Sequence, residues 1–379
     1  MSHIKEIIGH LPNEIGKINY QGKLNIEKIK EIDTANMYQL LTNYGKLIKD
    51  AIDNAISLEI DKNYYLDSKI KRIFILGIGG SAMAGELLKS YLEYICRSNR
   101  LEINVIRGTS IPSDINKDVL VFCCSYSGNT DETLEALEYV KQFNTNIIAI
   151  TSGGKLSEIA EKEGFKLLKL PTGFMPRCAM FYSFFHLLHT LAALNLIEES
   201  TENIIKHSIK SIVTTEFCNS LDYSAINNNN IALVLARLCE RKIPIIYTGD
   251  ERLKAVNLRW RAQIQENANQ LCFGNYFPEL NHNEINSWML PANLLNEFII
   301  IAMKDIEDSN NLNIAIDKGL NILRKKEIQV VEVVVAGDTL LERIIRLICI
   351  ADWFSFYLAI INNIDPTPIP LITELKKIK

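Results

Sequence analysis

Three hydroxyl side chains and one glycine lie close together in residues 125–130, a stretch that we call the hydroxyl turn. The hydroxyls belong to Ser125, Ser127 and Thr130, and no residue of the stretch is charged. Hydroxyl groups donate hydrogen bonds, and Gly128 lets a ligand approach the backbone amides closely. A helical pattern begins directly after the turn, and a helix amino terminus offers free N–H groups and partial positive charge. The stretch therefore predicts a neutral cradle for a phosphate group.

The same stretch also fits an ordinary connection between a strand and a helix. The apolar run 119–124 before it predicts a buried strand, and Asn129 or Thr130 would then be the N-cap of the helix. A second loop favours the phosphate interpretation. Residues 77–81, GIGGS, which we call the glycine loop, follow the predicted strand 70–76 and precede another helical pattern.

The glycine loop has one competing interpretation. Together with Ala82 it fits the G-x-G-x-x-A fingerprint of dinucleotide-binding sites. That fingerprint needs an acidic residue near the end of the second strand, which contacts the ribose. Here the predicted second strand, 103–106, is followed by Arg107 and Gly108. A nicotinamide-dependent dehydrogenase is therefore the disfavoured alternative.

Strands and helices alternate through both halves of the chain. The first half contains five strand-like runs, at 70–76, 103–106, 119–124, 146–150 and 167–170. The second series has predicted strands at 243–247, 297–302 and 329–335 and predicted helices at 231–240, 251–269 and 340–362. Such alternation predicts α/β domains with mostly parallel sheets and right-handed crossovers. Ligands of these sheets bind at the carboxyl ends of strands, where both loops lie.

We expect three segments in the 379 residues. Residues 1–60 form a helical amino-terminal extension with one long helix over 34–58, and residues 61–226 form the first domain. The polar stretch 227–230 begins the second domain, which comprises residues 227–379 with a carboxyl-terminal helix and tail.

Charge and cysteine content exclude several classes of protein. The formal net charge of -4 gives no reason to expect nucleic acid or an anionic membrane as partner. The eight cysteines contain no C-x-x-C pair, which argues against a zinc site or a disulfide framework and indicates a reducing compartment, the cytoplasm. The apolar stretches 178–197 and 344–361 contain polar residues, so we expect buried or interface helices rather than membrane spans. We expect no metal and no cofactor.

The two loops together resemble the sugar isomerase (SIS) domain, whose hallmarks are a glycine loop ending in serine and the sequence S-x-S-G-N-T. Other segments make the chain similar to the bifunctional phosphoglucose/phosphomannose isomerases: PRCA at 176–179, QIQENA at 263–268, PELNHNE at 278–284, and Leu375 with Lys376. The resemblance extends from about residue 70 to the carboxyl terminus. It implies a homodimer in which each chain has two SIS domains, each a five-stranded parallel sheet between helices in a three-layer α/β/α sandwich.

The resemblance also implies an activity, the interconversion of glucose 6-phosphate or mannose 6-phosphate with fructose 6-phosphate through a cis-enediolate. One base can then take the proton from C2 and return it at C1. A carboxylate shielded from water suits this task, and by resemblance it is Glu266. Without the family match, Glu266 would be interpreted as an ordinary glutamate on a helix surface.

The remaining roles are also implied by the resemblance. His282, assisted by Lys376, would open the sugar ring, and an imidazole suits this because it ionises near neutrality. In the family this histidine reaches the active site of the other subunit. Arg177 would stabilise the enediolate, and a preorganised donor of this kind is typically worth about 3–4 kcal/mol. Those expected to contact the sugar are Gly80 and Ser81, and those expected to hold the phosphate are Ser125, Ser127 and Thr130.

Several alternatives stay open at this point. Arg177 also fits a salt bridge at a helix start, His282 fits a loop histidine, and His186 and His189 are interpreted as core or interface residues. SIS domains also serve as sugar-phosphate sensors without catalysis, and other SIS enzymes act on different sugar phosphates. Use of mannose 6-phosphate is linked in the family to a threonine near the final proline-rich turn, which here is Thr367 unless Ile369 takes that place.

Overall fold

The computed structural model describes residues 24–61, 70–95, 101–143, 145–197, 216–224, 230–250 and 252–378. Backbone packing divides them into two units. We call residues 46–197 the first unit, and residues 24–45 with 216–378 the second unit. The expected segment boundaries near residues 60 and 226 stay predictions, because each adjoins a stretch outside the described residues.

Three helices precede the first strand, namely α1 (Ile26–Ile32), α2 (Met37–Thr42) and α3 (Tyr44–Ile56). The prediction of one helix over 34–58 is wrong, because the helix is interrupted at Asn43. The backbone N–H of Asn43 and its side-chain Nδ2 both donate to the carbonyl oxygen of Gln39, at 3.3 and 2.8 Å. Asparagine side chains interrupt helices by competing for backbone hydrogen bonds in this way.

The first unit contains a five-stranded parallel sheet. Its elements are β1 (Arg72–Leu76), α4 (Gly80–Ile95), β2 (Glu102–Ile106), β3 (Val119–Cys124), α5 (Asp131–Val140), β4 (Asn146–Thr151), α6 (Gly154–Glu163), β5 (Lys166–Lys169) and α7 (Met180–Ala193). The strand order is β2-β1-β3-β4-β5, with every pair parallel. All five predicted strands of this half are confirmed, with ends displaced by at most two residues.

The core of the first unit explains the composition of its strands. Every residue of β3 is buried, because helices cover both faces of a parallel sheet of this kind. On one face Phe74 and Val121 pack with Leu137 of α5 and Leu156 of α6. Since β1 and β3 are paired neighbours, the loops that follow them begin side by side at the carboxyl edge of the sheet.

The second unit contains a four-stranded parallel sheet in the order β7-β6-β8-β9. Its further elements are α8 (Glu216–Ser220), α9 (Ile231–Leu238), β6 (Ile243–Gly249), α10 (Lys254–Asn267), β7 (Phe273–Phe277), β8 (Phe298–Lys304), α11 (Asn310–Lys325), β9 (Gln329–Val334), α12 (Leu340–Ile361) and α13 (Pro370–Leu375). The sequence did not indicate β7, whose run FGNYF contains Gly and Asn, two residues that strands disfavour.

The five strands expected for the second sheet are therefore not found in the part of the chain that the structure describes. The order β7-β6-β8-β9 matches β2-β1-β3-β4 of the first sheet. In the first sheet a fifth strand, β5, follows the helix after β4. In the second unit the chain after β9 enters the 22-residue helix α12 and then α13, so no described segment remains for that position.

Helix α12 is the centre of the second unit. It is long and apolar enough to cross a membrane, but 94% of its most apolar window is buried inside the protein. The helices α1, α2, α9 and α10 all pack against it. The expectation of a buried helix over 344–361 is thus confirmed, and α7 in the first unit is likewise buried along most of its length.

Candidate active site

The first residue of the hydroxyl turn, Ser125, makes the hydrogen bonds that hold the turn in its conformation. Ser125 is buried, and its backbone N–H donates to the carbonyl oxygen of Ile150 at 3.1 Å, which extends the pairing of β3 with β4. Its Oγ accepts from the N–H of Gly128 at 3.1 Å and lies 2.9 Å from Oγ1 of Thr130. Ser127 is exposed, and its Oγ accepts from a backbone N–H at 3.3 Å. The three hydroxyls predicted to hold a phosphate therefore share one tight turn.

Thr130 occupies the N-cap position of α5, as the alternative interpretation of the turn expects. Its side chain makes no capping hydrogen bond, because its hydroxyl pairs with Ser125 instead. The first N–H groups of α5 are thus not capped by the N-cap side chain. A helix amino terminus of this kind is a favourable place for an anion.

Gly128 brings the hydroxyl turn against the loop that follows β4. Its φ of +69° is left-handed, and a Cβ at this position would lie 1.8 Å from the carbonyl oxygen of Gly153. The carbonyl oxygen of Gly128 accepts from the N–H of Leu156 at 3.0 Å, and Oδ1 of Asn129 accepts from the N–H of Lys155 at 3.1 Å. Only glycine fits here, because any side chain would push the two loops apart.

The glycine loop is also closely packed on two sides. A Cβ on Gly77 would lie 2.9 Å from the carbonyl oxygen of Cys124, at the end of β3. A Cβ on Gly80 would lie 2.9 Å from the carbonyl oxygen of Pro176 and 3.2 Å from Cα of Arg177. The loop therefore lies between the end of β3 and the 3-10 helix Pro176–Ala179.

Arg177 lies in that 3-10 helix, directly before α7, and is only 5% exposed. Ser81 lies in the first turn of α4 and is also buried. The first unit thus brings Gly80, Ser81, Arg177 and the hydroxyl turn together at the carboxyl edge of β1 and β3. This edge therefore carries two types of residue that suit a sugar phosphate, a cluster of hydroxyls and a buried arginine.

Glu266 belongs to the second unit, where it is half-buried near the carboxyl end of α10. Both sides of it are tied to α12 by buried polar contacts. Arg259 donates to both carboxylate oxygens of Asp352, at 3.0 and 2.9 Å, and Asn267 donates to Oγ of Ser355 at 3.0 Å. These contacts fix the helical backbone that carries Glu266.

Asp352 has a third partner, the hydroxyl of Tyr44. Burial and then the charge of Asp352 raise the pKa of Tyr44 well above its ordinary value, so the phenol stays protonated and donates. A carboxylate with a guanidinium and a phenol as donors is well compensated in a protein interior. The sequence does not indicate which groups pair with Asp352, although a charge inside an apolar helical run requires a partner.

His282 ends the 3-10 helix Glu279–His282 and is exposed. Its segment is anchored by Glu284, which accepts hydrogen bonds from the hydroxyl of Tyr247 and, at 2.6 Å, from Nδ2 of Asn275. Burial, followed by the hydrogen bond to Glu284, raises the pKa of Tyr247. The anchored glutamate leaves the imidazole of His282 at the surface of the second unit.

Lys376 directly follows α13 and is exposed, like residues 370–378 in general. The turn before α13 is held by Asp365, which accepts from the N–H of Thr367 at 3.0 Å and from the hydroxyl of Thr34 at 2.5 Å. Thr367 and Ile369 are both half-buried, so their exposure does not show which of them takes the position that a threonine has in the family. The assignment of that threonine stays a prediction.

Among the described residues, no group of three or more His, Cys, Asp or Glu side chains has the arrangement of a metal site. The seven cysteines in these ranges are all free thiols.

Comparison with known proteins gives matches along most of the chain. Residues 68–193 match the SIS domain family, and residues 228–378 match the family described as bacterial phospho-glucose isomerase C-terminal SIS domain. The chain is 36% identical to the bifunctional phosphoglucose/phosphomannose isomerase of Caldicellulosiruptor bescii, over 84% of this chain and 93% of that protein. It is 30% identical to the protein of the same name from Aquifex aeolicus, over 81% and 90%.

Solved structures share the fold at much lower identity. The C-terminal domain of glucosamine-fructose-6-phosphate aminotransferase from Francisella tularensis superposes with a TM-score of 0.64 at 16% identity. The superposition covers 87% of this chain and 98% of that one. A likeness at this level of identity establishes the two-sheet α/β architecture.

Proposed function

Because the chain belongs to the family of bifunctional phosphoglucose/phosphomannose isomerases, we propose that it interconverts glucose 6-phosphate and mannose 6-phosphate with fructose 6-phosphate. The observation that carries the proposal is the hydroxyl turn, with three hydroxyls in one closed turn at the amino terminus of α5. Such a turn suits the part that both aldoses and the ketose have in common, the phosphate.

The reaction moves hydrogen between adjacent carbons. A base removes the proton from C2 of the aldose, which gives a cis-enediolate, and returns it to C1, while a second proton moves between the oxygens on these carbons. We assign the base to Glu266. Its half-buried position supports this role, as does the attachment of α10 to α12 through Arg259 and Asn267, because a base must be held in place to act efficiently.

The charge that develops on the enediolate needs a fixed donor. We assign this role to Arg177, whose burial supports it, since a guanidinium removed from water interacts more strongly with an anion. The backbone contact of Gly80 with Arg177 also limits how far this residue can move. Ser125, Ser127 and Thr130 then hold the phosphate, with Gly80 and Ser81 beside the sugar.

Ring opening requires a proton donor and acceptor at the ring oxygen, and we assign it to His282 with Lys376. Both side chains are exposed on the second unit, so His282 is accessible to a partner subunit's site. We propose a homodimer in which His282 completes the other subunit's site, with no nucleic acid and no membrane as partner. A cytoplasmic location is supported by the seven free cysteines of the described ranges.

The deciding experiment is a coupled assay that supplies glucose 6-phosphate and mannose 6-phosphate separately and measures fructose 6-phosphate. Activity with glucose 6-phosphate alone would indicate that Ile369 rather than Thr367 takes the family position. Activity with neither substrate would contradict the proposal and favour a sugar-phosphate sensor without catalysis.

Glu266→Gln tests the base. We expect kcat to fall by about 10³-fold, which is typical of a lost general base, with fructose 6-phosphate binding nearly unchanged in calorimetry. Glu158→Gln, which removes an exposed carboxylate of α6, is the control and should leave both quantities unchanged. Turnover of Glu266→Gln within tenfold of the unsubstituted protein would show that the base is misassigned.

A further inference from the structure

We propose that Tyr126 is a positioning residue whose hydroxyl holds the segment carrying Arg177 in place against the hydroxyl turn. What the two segments do in the reaction rests on the proposed function. The hydrogen bonds that join them are independent of it.

The hydroxyl of Tyr126 makes two hydrogen bonds to one short stretch of chain. It donates to the carbonyl oxygen of Pro171 at 3.0 Å and accepts from the backbone N–H of Phe174 at 2.9 Å. A phenol has one proton to donate and lone pairs to accept with, so a single hydroxyl satisfies both backbone groups. Both ends of residues 171–174 are therefore hydrogen-bonded to a single atom, the hydroxyl oxygen of Tyr126 in the hydroxyl turn.

Tyr126 is itself firmly held. It is the second residue of the hydroxyl turn, and its carbonyl oxygen accepts from both the N–H and the Oγ of Ser152, at 3.0 and 2.6 Å. The loop that follows β4 thus fixes the backbone of Tyr126, while the hydroxyl reaches residues 171–174. A displacement of that stretch is resisted by the same turn that supplies Ser125, Ser127 and Thr130.

Residues 171–174 belong to a longer segment that leads directly to Arg177. This segment begins at Leu170, whose N–H donates to the carbonyl oxygen of Thr151 at 2.8 Å, and it ends where Pro176 meets Gly80. Between these points the chain has no regular secondary structure and contains Gly173 at a φ of +93°. The two hydrogen bonds of Tyr126 lie in the middle of this irregular stretch, where backbone regularity contributes no rigidity.

Loss of the Tyr126 hydroxyl would change the position of Arg177 and leave its charge unchanged. A donor aimed at a developing oxyanion is effective only at the correct distance, and displacements on the order of 1 Å can cost about 10²-fold in rate. Loss of the hydroxyl would allow Arg177 to move relative to the phosphate site without removing any group that contacts the substrate. The expected defect is therefore in kcat, with little change in KM.

Tyr126→Phe is the test, because it keeps the ring and removes only the hydroxyl. We expect kcat for glucose 6-phosphate to fall about tenfold, with KM changed less than about twofold. Tyr139→Phe is the matched control, since the hydroxyl of Tyr139 makes no hydrogen bond to any residue that the structure describes, and both constants should stay unchanged. A rise in KM at constant kcat would overturn the proposal, as would unchanged kinetics.

A double-substitution cycle shows whether the hydroxyl acts through Arg177. In an Arg177→Ala background, Tyr126→Phe should lower kcat by less than about twofold, because the group that it positions is gone. An equal tenfold loss in both backgrounds would mean that Tyr126 acts independently of Arg177, and the proposal would be wrong.

Hydrogen exchange tests the hydrogen bonds of Tyr126 without an activity assay. In Tyr126→Phe the N–H of Phe174 loses its acceptor, so peptides covering residues 171–177 should exchange faster than in the unsubstituted protein and in Tyr139→Phe. Unchanged exchange there would overturn the tether. If the unsubstituted protein failed to isomerise either aldose phosphate, the proposed function would fall, and the exchange result would still decide the role of the hydroxyl.

Discussion

His186 should make the protein sensitive to mild acid. This residue is completely buried in α7, and its Nδ1 lies 2.6 Å from the carbonyl oxygen of Tyr182. Because a carbonyl oxygen only accepts, Nδ1 carries the proton and donates. The other ring nitrogen, Nε2, is buried and has no hydrogen-bond partner among the described residues. Protonation there would place a charge in the core with no acceptor.

Burial therefore lowers the pKa of His186 from 6.5 to about 4, an effect that neighbouring His189 reinforces and the Tyr182 carbonyl partly offsets. The unfolded chain takes up the proton near pH 6.5, so between pH 6.5 and 4 it binds more protons than the folded protein. Stability consequently falls as the pH falls through this range. The loss from His186 amounts to about 2 kcal/mol between pH 7 and pH 5.

The measurement is the free energy of unfolding in urea at pH 7 and at pH 5, for the unsubstituted protein and for His186→Asn. Asparagine keeps a donor near the position of Nδ1 and does not titrate, so the difference between the two proteins cancels the contribution of the carboxylates. We expect the unsubstituted protein to lose about 2 kcal/mol more than the variant. If the two losses agreed within about 0.5 kcal/mol, the reasoning would be refuted.

Two further substitutions test the packing around the candidate site. Gly128→Ala should destabilise the protein by about 3 kcal/mol or more in urea unfolding, because its Cβ would meet a backbone oxygen of the loop after β4. Gly164→Ala has a similar φ of +74° but open space around it, so it should cost only about 1–2 kcal/mol, and equal costs would contradict the close approach. Asp352→Asn removes the charge that opposes the buried guanidinium of Arg259 and should cost about 3–5 kcal/mol in calorimetry. The control is Asp317, an exposed carboxylate that also belongs to an ion pair, and Asp317→Asn should cost less than about 1 kcal/mol. If this substitution and Asp352→Asn cost the same, the result would contradict a buried pair at Asp352.

The two sheets use their carboxyl edges differently. After β8, in the place that the hydroxyl turn has after β3, the second unit has ion pairs formed by two buried arginines. Arg343 donates to Asp305 at 2.7 Å and to Glu307 at 2.6 Å, and Arg252 lies 3.3 Å from Asp308. The two arginines at this edge are already paired with carboxylates, so they are less available to a phosphate than uncompensated cations would be. This difference supports our proposal that the phosphate binds at the edge of the first sheet.

Local sequence was sufficient for much of the architecture. The strands of the first sheet and the buried helices α7 and α12 follow from apolar runs bounded by polar residues, since burial on both faces requires a nearly continuous apolar stretch. The hydroxyl turn and the glycine loop were also found from sequence, because both are contiguous and lie where a predicted strand ends. The break at Asn43 and the strand β7 were missed, because there side-chain competition and pairing with β6 outweigh the local pattern.

The positions of the supporting groups were decided by tertiary structure alone. Asp352 meets Arg259 across 93 residues of chain, and the hydroxyl of Tyr126 meets Pro171 and Phe174 across 45 and 48 residues. No periodicity or motif encodes such pairs, because each partner is chosen by the packing of whole helices and strands. The sequence thus determined which groups are available for chemistry. The fold determined what holds them, since a hydrogen bond requires a distance that only the packed chain sets.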